Sequence, residues 1–214
     1  MSNVQIGLLL GAAVWVCLRL ETLPGTALLA ACALLAGLPW TGANLGGSVT
    51  LAAVAGLWYA VRRSGRLGIV EGGYASIGAS VGFLVAFAAN RFLAGTPTHL
   101  TRFVESESGS GFLGTIVDRV ATGLRLFATN PSGILTVLAL AIAFRVVTHP
   151  PQAIVELFAR GRIWRDAALV SLAGSAVAYL ANLEHRTAVA ALGLGFGTAI
   201  AGLLAGVLVE RTPA

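Results

Sequence analysis

Lysine is missing from this 214-residue chain, and all fourteen basic residues are arginine. Acidic residues are scarce as well, so charged residues make up only 11% of the sequence. An ordinary soluble domain carries about 25%, and a water-facing surface cannot be clothed with so few charges, which excludes that class. The two cysteines, Cys17 and Cys32, stand inside apolar runs with neither a CxxC pair nor a Cys/His ligand spacing. They read as small packing residues, with no disulfide and no redox role. The three histidines, His99, His149 and His185, are not in ligand spacing and no HExxH occurs. A P-loop and a dinucleotide-binding glycine pattern are also missing, so the sequence calls for no metal and no cofactor. Glu105 and Glu107, the one closely spaced carboxylate pair weighed for hydrolysis, lie in ESESGSG, a flexible-loop composition rather than a catalytic dyad.

What the chain has is hydrocarbon. Hydrophobic residues account for 57% and the mean hydropathy is +0.85. The pattern predicts an all-α fold, a polytopic integral membrane bundle filling residues 1–214 as a single domain, with about seven spans and one or two interfacial amphipathic helices. The spans fall near 4–20, 23–40, 45–61, 69–89, 133–147, 167–183 and 187–209. The first lacks a basic leader and a small-residue cleavage site and reads as a retained span. Pro24 fits a first helical turn, Trp40 an interfacial anchor, and Trp58-Tyr59 followed by Arg62, Arg63 and Arg66 a cytoplasmic exit. In the fourth span Gly78 and Gly82 have the small-xxx-small spacing of close helix approach. Glu71 is expected in the interface near Arg66 rather than buried, because a buried carboxylate is costly. His149-Pro150-Pro151 stops the fifth span, and residues 152–165 read as a short amphipathic helix on the membrane surface.

With seven spans, Arg19, Arg62, Arg63, Arg66, Arg145, Arg160, Arg162, Arg165 and Arg211 share one side. Arg91, Arg102, Arg119, Arg125 and Arg186 share the other. The bias places the first set in the cytoplasm, the N-terminus outside and the C-terminus inside. The net charge of +5 is distributed between apolar segments rather than along a solvated face, so it points to a lipid bilayer and not to nucleic acid.

Residues 90–131 form the one long polar interval, placed on the outer face. Within it Thr98, His99 and Arg102 gather donors suited to an anionic group such as a lipid headgroup phosphate; a plain surface loop is the competing reading. Residues 112–127 carry Phe112, Ile116, Val120, Leu124 and Phe127 at helical spacing, an interfacial amphipathic helix too charged to span.

The succession GTPTHLTRFV, TIVDRVATGLRLFATNPSGIL and AYLANLEHRTAVAALGLGFG resembles the C-terminal membrane region of bacterial polytopic proteins that carry an alkaline-phosphatase-like domain ahead of it. That resemblance implies a prokaryotic plasma membrane and matches Thr98, His99 and Arg102 to the Gly-x-x-(Ser/Thr)-His-Leu-Gly-Arg stretch expected in that group, with Asn182 matched to the Asn of a later turn. Leu183-Glu184-His185 departs from the Asp-Ser-Gly expected there. The phosphatase head has no counterpart in this sequence, so its activity does not carry over.

Two functions follow. One is a non-catalytic membrane subunit docking a partner protein or envelope component at its outer face, with no catalytic residues of its own. The alternative is a transporter, or a membrane enzyme acting on a lipid-linked or anionic substrate, with Glu71, His99, Arg102 and His185 around a polar pocket. Candidate anion-binding residues are thus Thr98, His99, Arg102, Glu71, Asn182 and His185.

Overall fold

The computed structural model describes residues 3–94 and 131–182, together with Gly114, Val117, Ala121, Arg125 and Thr129. Thr98, His99, Arg102, His185 and the expected span at 187–209 lie outside the described residues. The described part is all-α. Its helices are α1 (Asn3–Cys17), α2 (Thr22–Gly37), α3 (Leu45–Ser64), α4 (Ile69–Phe92), α5 (Pro131–Thr148), α6 (Gln152–Arg160) and α7 (Arg162–Asn182), with a 3-10 turn at Pro39–Thr41. Gly114, Val117, Ala121, Arg125 and Thr129 are also helical and exposed, at the spacing of one helical face, the first four inside the amphipathic segment expected at 112–127.

Helix ends follow from local chemistry. The apolar run of the first span continues to Leu20, yet α1 stops at Cys17. Leu18, Arg19 and Leu20 donate instead to Trp15, Val16 and Cys17, the i to i−3 pattern of a tightening last turn. Helix α2 stops at Gly37 because Leu38, which precedes Pro39, is driven into the extended region. Asn44 caps α3 by accepting from the Gly47 amide at 2.7 Å, and Gly65 closes it at φ +72°, a left-handed position suited to glycine. The surface helix expected at 152–165 is divided. Gly161 adopts an extended conformation, α6 ends at Arg160, and Arg162 to Arg165 form the first turn of α7.

Helix α3 is the centre. It packs against α4, α2 and α7, and its Leu51, Val54, Leu57, Trp58 and Val61 are essentially inaccessible. The contact with α4 is backbone to backbone. A Cβ on Gly78 would lie 2.3 Å from the Ala52 carbonyl oxygen, and one on Gly56 2.3 Å from that of Tyr74. The small-residue spacing expected to bring helices close therefore does so on both partners. At the other end of this pair, Asn90 of α4 donates to the Gly37 carbonyl of α2 at 2.7 Å and ties those two helices together.

Among the described residues two helices, α3 at 20 residues and α4 at 24, are long and apolar enough to cross a membrane. They differ in surroundings: α3 is mostly buried, whereas α4 turns Val70, Ile77, Val81 and Leu84 outward.

The close crossing makes a prediction. Gly78→Ala is expected to lower the thermal midpoint in mild detergent, since overpacking costs about 1–3 kcal/mol. Gly73→Ala, where an added Cβ meets nothing within 4 Å, is expected to leave it unchanged or raise it slightly. Equal effects at the two positions would contradict the packing described.

Candidate functional site

A cluster of charges marks the end of the bundle where α1, α3 and α5 finish and α2, α4 and α7 begin. Asp166, in the second turn of α7, is fully buried. Its Oδ2 accepts from Arg62 Nη1 of α3 at 3.0 Å and lies 3.4 Å from Arg162 Nε, one turn earlier on its own helix. Arg162 also donates through Nη2 to the carbonyls of Arg62 at 2.9 Å and Val61 at 3.2 Å. Those carbonyls belong to the last turn of α3, where helix geometry leaves acceptors without intrahelical donors and the dipole favours a cation. One arginine thus caps α3 while pairing with the aspartate that holds α3 to α7.

The cluster has an aromatic floor. The Arg62 guanidinium lies 5.7 Å from the centre of the Trp58 ring, in cation–π range. Trp58 is fully buried against α2, where a Cβ on Gly25 would come within 2.6 Å of the indole nitrogen. From α1, the Cys17 thiol donates to the Gly25 carbonyl at 3.4 Å. Gly25 is therefore small because the indole occupies its side-chain space. Gly65 is held to glycine twice, by its positive φ and by the Arg162 guanidinium 2.7 Å from where a Cβ would stand.

Arg63, one residue on from Arg62, faces outward. Its Nη1 donates to the Tyr59 hydroxyl at 2.6 Å, and its guanidinium lies 5.5 Å from that ring. The Tyr59 ring in turn meets Tyr74 of α4 with centroids 5.8 Å apart.

Two of the sequence candidates fall within the described residues. Glu71 lies beside Arg66 as expected, at 3.9 Å, but it is buried, 2% exposed, rather than lying in the interface. The reason is its place as the third residue of α4. From there the carboxylate reaches back to the amides of Gly68 and Glu71 and to the Ser64 hydroxyl, so its acceptors are satisfied out of water. Asn182 is the final residue of α7. Asn182 lies twenty residues, roughly 30 Å, along α7 from Arg162, whereas Glu71 is held at the start of α4 beside Arg66. They do not form one site. Among the described residues no group of three metal-ligating side chains converges.

Asp166 was not among the sequence candidates. Its signal is local: an Arg at i and an Asp at i+4, just after a glycine break, at the mouth of an apolar run. No family model matches this chain, and no curated protein or solved structure matches it.

Breaking one side of this ion pair leaves a buried charge uncompensated. Asp166→Ala is expected to destabilise the protein by about 3–5 kcal/mol. Adding Arg62→Met is expected to recover part of that loss in detergent unfolding. Strictly additive losses would show that the two residues are not coupled.

Proposed function

We propose that this chain is a non-catalytic, multi-pass integral membrane subunit of a plasma membrane. Its arginine-rich end lies on the cytoplasmic side, and the polar segment 90–131 is presented outside to a partner protein or envelope component. Helix α4 is the observation that carries the membrane reading. It is 24 residues long, buries small residues against α3, and exposes Val70, Ile77, Val81 and Leu84 along its length. Exposed apolar side chains along a helix of spanning length suit acyl chains and not water.

The orientation draws support from the ion pair. By joining the C-terminal end of α3 to the N-terminal end of α7, Arg62–Asp166 puts Arg62, Arg63, Arg66, Arg162 and Arg165 at one end. These residues belong to the set that the charge count assigns to the cytoplasm. The non-catalytic reading is favoured by the work that the buried acids perform. Asp166 fastens two helices and Glu71 caps a third, each engaged with neighbours that hold the bundle together.

Cysteine labelling tests the topology, with Trp40→Cys and Leu67→Cys as reporters on either side of α3; both native residues are exposed and the native cysteines are buried. An impermeant maleimide is expected to label Trp40→Cys in intact cells and Leu67→Cys only after permeabilisation. Labelling of both from the same side would overturn the crossing. For the docking role, purification in mild detergent is expected to retain a stoichiometric protein partner that His99→Ala/Arg102→Ala releases. A turnover by the purified protein, abolished by those substitutions while the fold survives, would overturn it.

A further inference from the structure

The geometry points to a binding site for an anionic phospholipid on the flank shared by α3 and α4 at the arginine-rich end, resting on the membrane reading above. The head of the site is Arg63 with Tyr59. Because Arg63 Nη1 donates to the tyrosine oxygen at 2.6 Å, the phenolic proton remains available to donate elsewhere. The guanidinium retains its other N–H groups, and both residues reach the surface. This is a donor pair, one partner cationic, of the kind that grips a phosphate oxygen. Arg62 and Arg162 are already engaged with Asp166, and Arg66 points toward Glu71 at 3.9 Å. Among the described residues Arg63 has no carboxylate partner of its own, and it is held in place by an aromatic ring.

Below the head the flank is apolar. Tyr74, which meets Tyr59, is 42% exposed, and Ile77 and Val81 follow it on the same side of α4 at 63% and 52% exposed. Their spacing of three and four residues makes a continuous stripe running away from Arg63 into the length of the helix. An anionic head continuous with an apolar chain is the chemistry that fits both parts at once. A soluble anion would use only the first, and a zwitterionic lipid sets its own cation against Arg63.

Native mass spectrometry of the full-length protein in neutral detergent, offered equal phosphatidylglycerol and phosphatidylcholine, tests the site. The wild type is expected to retain phosphatidylglycerol preferentially. Arg63→Gln is expected to lower that preference about fivefold, and Tyr59→Phe, which removes only a hydroxyl, to lower it by a smaller factor. Arg165→Gln, exposed at the same end but on α7, is expected to leave it unchanged. Inorganic phosphate is expected not to displace the lipid; complete displacement would mean that the head alone is recognised and would overturn the proposal. So would equal retention of the two lipids, an unchanged preference in both folded variants, or Arg63-dependent capture of an acidic protein in place of lipid. Release of the wild type from membranes by alkaline carbonate would overturn the membrane reading together with the site. Retention there without a lipid preference would overturn the site alone.

Discussion

The contact on which the other packing depends is the one between the backbones of α3 and α4. In a bilayer the hydrophobic effect does not press helices together, because acyl chains are as apolar as leucine. Association then depends on close dispersion contact and on polar groups that find partners. Gly56, Gly78 and Gly82 supply the first by leaving no side chain of their own in the crossing, so that the carbonyls of Tyr74 and Ala52 and the Ala52 methyl stand where their Cβ atoms would be. With α4 drawn in on one side, α3 is left to pack its larger residues, Leu57, Trp58 and Val61, toward α2 and α7. Glycine on one flank and tryptophan on the other are two parts of one solution.

Polar groups supply the second kind of contact, and they are placed at the two ends. Asn90 fastens α4 to the carbonyl end of α2, while Arg62 and Asp166 fasten α3 to α7. Asp166 is fully buried and Arg62 is partly exposed, so the pair straddles the edge of the buried core; on the proposed membrane reading that edge lies near the headgroups, where a long arginine side chain keeps contact with water along part of its length. Exposure of one partner lowers its desolvation cost and makes the pair tolerable where a wholly buried pair is costly.

Much of this architecture was legible in the sequence, for reasons specific to each segment. Long apolar runs marked α3 and α4, and Pro39 and Pro150-Pro151 announced where helices stop, whereas the stop at Gly65 went unread. The Gly78/Gly82 spacing announced a close approach, and the matching series Ser48, Ala52, Gly56 and Ala60 on α3 is the partner signal that the sequence reading passed over. The break at Gly161 was hidden because Arg162 and Arg165 continue the amphipathic spacing of α6, and only docking onto α3 reassigns them to α7. Glu71 was placed beside the correct arginine but on the wrong side of the burial boundary. A cost argument for an isolated carboxylate misses the amides that a helix N-terminus offers to its third residue. Asp166 escaped notice because its partner lies 104 residues away in the chain.

That same separation orders the birth of the molecule. Arg62 leaves the ribosome long before Asp166 exists, so on the proposed membrane reading the first helices would be oriented while Arg62 still lacks that partner. An unpaired arginine resists translocation, and so would hold the growing chain in register on the compartment where it was made. The later arrival of α7 would then convert a sorting signal into a mechanical fastener, one guanidinium serving first in biogenesis and afterwards in the finished architecture.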